Sequence, residues 1–169
     1  CSSDLIFAGV QGIINQTGSS QGWYNLDSTT RAKDTNWHLL TVQNPYVRNN
    51  TVNKGQMVIQ NLTVAAQSTD PSVIFLVKDA VGTSDLLVFN AIPGHGNPNV
   101  FAQYSTSAVT ENLALDNVAN VQTLGINGSS TFDLIPYNFI LAPGESMSVF
   151  IRSTNAITNS AVGITWKVD

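Results

Sequence analysis

The chain has 169 residues, a length that fits one domain with a full hydrophobic core. It is 43% apolar but only 11% charged, against roughly 25% charged in ordinary soluble domains, so its solubility rests on Asn, Ser, Thr and Gln. Seven basic against eleven acidic residues, with no Lys/Arg cluster, exclude the phosphate-binding surface that a nucleic-acid partner requires. A surface of neutral polar groups suits a protein outside cells, or one packed into a large assembly.

In chain order the first element is the N-terminal third. A chain beginning at Cys1 is expected to have lost either an initiator Met or a lipoprotein signal peptide, and a lone cysteine forms no disulfide within the chain. The apolar run "LIFAGVQGII" (5–14) is too short, and too interrupted by Gly and Gln, to span a bilayer, so no membrane span is expected. Residues 15–36 are polar and rich in Gly and Ser, yet they carry Trp23 and Tyr24 side by side. Two readings stand for that pair. It tucks onto the domain's own sandwich, or it belongs to an arm that docks on a neighbouring subunit. The second reading divides the chain into an N-terminal arm or extension (1–36) and a β-sandwich domain (37–169). It makes Leu5, Ile6, Phe7, Ile13, Ile14, Trp23 and Tyr24 the candidates for an assembly interface.

From residue 37 onward the pattern is that of strands. No segment sustains apolar residues at i, i+3, i+4, i+7 over several turns, whereas short runs of β-branched and aromatic residues recur. "WHLLTVQ" (37–43) is followed by "QMVIQNLTVAA" (56–66), where strict alternation sets Val58, Leu62 and Val64 on one face. "SVIFLVKD" (72–79) is apolar on both faces, the signature of a strand buried on both sides. "DAVGTSD" (79–85) reads as a hairpin loop, "DLLVFNAI" (85–92) and "VFAQY" (100–104) as strands, and "IPGHGNPN" (92–99) as a surface loop. A short helical turn is expected within 108–117. Strands follow at 120–126, 137–142, 147–153 and 161–169. Eight or nine short strands separated by turn residues predict an all-β, antiparallel β-sandwich, jelly-roll-like, with an extended N-terminal arm.

Candidate chemistry is sparse. Gly144-Glu145-Ser146 places a serine beside a carboxylate, but Pro143-Gly144 is the central pair of a type II turn. The second Gly and the following helix of a nucleophile elbow are both missing. Alternation then sends Met147, Val149 and Ile151 to one face and Ser146, Ser148, Phe150 and Arg152 to the other. His38 lies within a strand and reads as a packed or edge residue; His95 sits between glycines in a loop. Two histidines without cysteine or acidic neighbours make no zinc set, and Asp79 and Asp85 lack the spacing of a calcium loop. Gly9-Val10-Gln11-Gly12 lacks the strand-to-helix setting of a phosphate cradle, and Glu111 and Glu145 make no glycosidase pair. The sequons at Asn15, Asn49, Asn61 and Asn127 are of the number that so Asn-, Ser- and Thr-rich a chain produces by chance. No catalytic residue, no cofactor and no metal site is expected.

From about residue 37 to the end, the pieces resemble small β-sandwich virion structural proteins of tailed bacteriophages, such as capsid decoration (cement) proteins and head-fibre or tail components. The resemblance is carried by "VQNPYVRNNTV", "MVIQNLTVAA", "VIFLVKDA", "AIPGHG", "FILAPGESMSVFIRSTN" and "GITWKVD". It implies a non-enzymatic virion protein that binds other virion subunits, capsid or tail, forms homo-oligomers and resides in the virion. Two other readings fit the same composition. One is a secreted or cell-surface filament or adhesin subunit, and the other a carbohydrate-binding module using Trp23, Tyr24 or Tyr104 to stack on sugars.

Overall fold

Two antiparallel sheets lie face to face, the first built largely from strands that alternate buried and exposed residues, the second around strands apolar on both faces. The computed structural model describes residues 20–48, 50–78, 90–91, 103–105 and 118–168. In the first sheet the order is β1 (Ser20–Asp27), β13 (Asn159–Val168), β5 (Met57–Gln67), β10 (Ser129–Asp133), with β11 (Ile140–Leu141) also pairing β5. The second runs β7 (Asn90–Ala91), β8 (Gln103–Ser105), β2 (Trp37–Gln43), β12 (Ser146–Ser153), β6 (Ser72–Lys78), β9 (Val118–Leu124). A small hairpin, β3 (Val47–Arg48) and β4 (Thr51–Val52), stands beside them.

The path of the chain is a jelly roll. Among the long strands the chain changes sheets at almost every step, from β1 to β2, β5 and β6, and again from β9 through β10 and β12 to β13. Among the long strands of the described residues, only β6 and β9 are successive neighbours in one sheet. The first and last of these strands end up paired, Ser20 opposite Lys167 through to Asp27 opposite Ser160. The expected all-β sandwich is the observed fold, and the strands read at 37–43, 56–66, 72–79, 147–153 and 161–169 are present with ends displaced by two residues at most. The strand expected at 137–142 is shorter, because Ile135–Tyr137 winds into a 3₁₀ turn with Pro136 in its first turn. The hairpin loop at 79–85, the loop at 92–99 and the helical turn within 108–117 lie outside the described residues.

The core fills the space between the sheets. Ile59, Leu62, Val64, Ile164 and Trp166 from the first sheet meet Leu40, Val42, Ile74, Leu76, Val149 and Ile151 from the second, all of them buried. Each such side chain removed from water contributes about 1.5–3 kcal/mol before conformational entropy is subtracted. Met147, Val149 and Ile151 do share the core face, while Phe150 packs on the opposite face with Val77. β6 is accordingly apolar on both sides, as its sequence requires.

Two bulges change what strict alternation predicts. In β5 the partner register passes from Asn61 opposite Thr165 to Ile59 opposite Trp166, which leaves Gln60 as the extra residue. Met57 and Ile59 therefore point inward along with Leu62 and Val64, and Val58, expected on that face, is only partly buried. In β2 the register passes from Leu40 opposite Val149 to His38 opposite Phe150. A strand also lies within the expected arm of residues 1–36. Residues 20–27 form β1 and add the edge strand of the first sheet over eight paired positions. Arg31 exchanges both main-chain hydrogen bonds with Ile157 (2.8 and 3.0 Å). Residues 20–36 are thus tied to the sandwich by β1 and by Arg31.

Candidate functional site

The turn after β11 is structural. Gly144 has φ of 89°, and the N–H of Glu145 donates to the carbonyl of Ala142 (2.9 Å), which closes the type II turn the sequence predicts. Glu145 does not act on a serine. Its carboxylate accepts the Ala142 N–H (2.8 Å) and pairs with the Lys78 ammonium (3.0 Å). The Ala142 hydrogen bond, with help from Lys78, holds the Glu145 carboxyl below the usual carboxylate range against the opposing effect of burial. Ser146 opens β12 opposite Gln43.

A second polar group lies inside the molecule. The bulge in β2 brings His38 and Thr41 to one face, where regular alternation would have sent them to opposite ones. His38 Nε2 lies 2.6 Å from Thr41 Oγ1, and Thr41 Oγ1 lies 2.7 Å from Ser148 Oγ. The His38 ring meets Phe150 edge-on with centroids 5.4 Å apart. A histidine linked to two hydroxyls suggests a relay, but all three side chains are at most 2% exposed, so no substrate reaches them in this conformation. The group satisfies its own buried polar atoms instead.

A third group escaped sequence reasoning. Arg31 is 1% exposed, donates to Asp27 Oδ2 (2.7 Å) and to Ser160 Oγ (2.6 Å), and so fastens the chain after β1 to β13. Burial raises the Asp27 carboxyl pKa, but the Thr29 N–H and the Arg31 guanidinium outweigh it and leave the value below normal. The only signal available was an Asp and an Arg four residues apart in a polar stretch.

The exposed site is the outer face of the first sheet. Tyr24 lies opposite Gly163, which lies opposite Thr63; Leu26 lies opposite Ala161, which lies opposite Ala65. Tyr24 is 68% and Leu26 72% exposed. They form one wall of a trough whose floor is Ala65, Ala161 and Gly163, a cavity of about 250 Å³. It runs into a second groove of about 560 Å³ that shares Leu26, Ala65 and Ala161 and extends to Asn127 and Asn159. Of the residues expected at an interface, Tyr24 lines this trough, and Trp23 is the preceding residue of β1, opposite Ile164. Leu5, Ile6, Phe7, Ile13 and Ile14 lie outside the described residues, as do His95, Asp79, Asp85 and Glu111. No helix among the described residues is long and apolar enough to cross a membrane.

No family model matches the chain, and no curated protein matches it. Among solved structures it is similar to Bacillus endospore appendages, described as disulfide-linked pili, with a TM-score of 0.34 and 10% identity over 89% of this chain and 91% of that one. It is also similar to mud crab dicistrovirus (TM-score 0.32, 10% identity, 92% and 70% covered) and to a Sphingomonas hydroquinone 1,2-dioxygenase (TM-score 0.24, 11% identity, 89% and 59% covered). These scores are low, the three proteins differ in kind, and nothing in them is specific to tailed bacteriophages. The likenesses carry no argument about role.

Proposed function

We propose that this chain is a non-enzymatic virion structural protein, a capsid decoration (cement) or head or tail accessory subunit that binds neighbouring subunits and further copies of itself. The observation that carries this reading is the outer face of the first sheet, where Tyr24 and Leu26 stand 68% and 72% exposed above a floor of Ala and Gly. Grouped aromatic and aliphatic side chains with no charge among them have the composition of an interface centre. The sheet edges agree with it. β9 carries no charged residue and β1 only Asp27, whereas edges meant to stay solitary are commonly guarded by Lys or Pro. Among the described residues, His38, Thr41 and Ser148 are enclosed and Glu145 is committed to its turn, which agrees with a role without catalysis.

Within this reading the arm is residues 1–19, with Leu5, Ile6, Phe7, Ile13 and Ile14 as its apolar anchors, and Trp23 and Tyr24 belong to the strand that follows it. The test is quantitative mass spectrometry of purified particles combined with their reconstruction by electron microscopy. The chain is expected in fixed stoichiometry with a capsid or tail subunit. Its absence from particles, together with a monomeric state at every concentration in sedimentation velocity, contradicts the proposal.

A further inference from the structure

The trough on the outer face of the first sheet has a lining that discriminates between occupants. Most of its polar groups are already engaged within the chain. The Asp27 carboxylate accepts the Thr29 N–H (2.7 Å) and the Arg31 guanidinium (2.7 Å). The Gln67 side-chain Oε1 accepts from the Asn159 side-chain amide (2.6 Å), and the Thr63 and Thr131 hydroxyls bond each other (3.1 Å). A saccharide needs several directed hydrogen bonds from unoccupied groups, so this lining favours an apolar guest. The small floor residues also let a backbone approach closely, and no Lys or Arg lines the trough to select an anion.

We infer that the trough receives the apolar N-terminal segment Leu5–Ile14 of a second copy of this chain. The inference rests on the assembly reading above for the occupant's being a second copy. The segment carries no charge and concentrates Leu5, Ile6, Phe7, Ile13 and Ile14 within ten residues that lie outside the described ones, ahead in the sequence of the strand that walls the trough. The floor from Asn159 to Gly163 is four residue steps, about 14 Å long, and so takes four or five residues of an extended chain. Either apolar end of the segment fits that length. The alternating Tyr24 and Leu26 offer the spacing at which side chains of an extended guest fall on one face.

The experiment uses the full chain with a photo-crosslinking phenylalanine analogue at position 7, and separately at position 14, mixed between ¹⁴N- and ¹⁵N-labelled copies. After illumination, crosslinked peptides joining position 7 or 14 to residues 24–26 or 159–163 are expected in mixed-isotope pairs. Ala161→Arg, and independently Leu26→Ser, should reduce those products by about tenfold, the loss expected from one buried apolar contact, with the thermal midpoint nearly unchanged. Crosslinks confined to single-isotope pairs overturn the inference by placing the segment on its own chain. Association that persists with crosslinks elsewhere overturns the trough but leaves the assembly reading standing. Chains that remain monomeric in sedimentation velocity overturn the assembly reading, and this inference with it.

Discussion

At the scale of single residues, local geometry decides which side chains can be replaced. Gly144 at φ of 89° occupies a conformation that costs other residues about 1–3 kcal/mol, and a Cβ there also meets the ring of Tyr46. Tyr46 is 70% exposed and can swing aside, so the backbone term dominates. Gly144→Val should lower the thermal midpoint by about 3–9 °C, and adding Tyr46→Ala should restore little of it. Asp27 and Glu145 both have carboxyl pKa values held below normal in the folded state. Their stabilisation is fully present above the unfolded value of about 4 and is lost as pH falls through the lower folded values. A plot of thermal midpoint against pH should be flat from neutrality to about pH 5 and then fall. Asp27→Asn leaves the buried Arg31 without its counter-charge and should cost about 3 kcal/mol at neutral pH, while flattening the acid limb. An unchanged acid limb in that variant would show that the pair is not what titrates.

At the scale of elements, β1 ties residues 20–27 to the sandwich. Because β1 pairs with β13 along its whole length and Arg31 is anchored by Ile157 and Ser160, the two obvious truncations should behave differently. Removing residues 1–19 should leave a cooperatively melting domain with nearly the parental midpoint. Removing residues 1–36 should expose the β13 edge and delete the Arg31 anchor, giving a protein that melts at least about 10 °C lower or aggregates. Circular dichroism melts of the two truncations decide the matter, and equal midpoints would return β1 to the arm. The sequence disguised β1 because "SQGWYNLD" contains a Gly and few branched residues. Its strand character comes from the partner it pairs with, not from its own propensity.

At the scale of the whole molecule, the jelly-roll path pairs strands far apart in sequence, β1 with β13 and β5 with β13, so formation of the native sheets depends on long loop closures. Protection from hydrogen exchange should follow the layout of the sheets. Amides of Leu62, Val64, Ile164 and Val149, on central strands over the core, should exchange only by global unfolding, and those of β1 and β9 by local opening. Native-state exchange followed by NMR checks this, and uniform protection across centre and edge contradicts it. The same layout puts the edge β9, which carries no charge, and the Tyr24–Leu26 wall on the outside, available to a neighbour. Leu26→Ser should reduce self-association in sedimentation velocity without moving the thermal midpoint, since Leu26 is 72% exposed and contributes little to the core.

The sequence by itself determined the fold class, the turn at Pro143-Gly144 and most of the central strands. These features are local. Period-two alternation in "SMSVFIRS" and the fixed φ of proline beside a glycine act within a few residues of chain, whatever the partner strand. What only the tertiary structure decided is everything that depends on two distant segments meeting. The bulge at Gln60 turns Val58 away from the core because β13 has one residue fewer in the facing stretch. The bulge in β2 sets His38 and Thr41 on one face, where they meet Ser148. Arg31 is buried because Ser160, 129 positions later, returns beside it. The trough has the same origin. Tyr24, Leu26, Ala65, Ala161 and Gly163 come from three strands, and their shared surface exists only because long-range pairing lays those strands side by side.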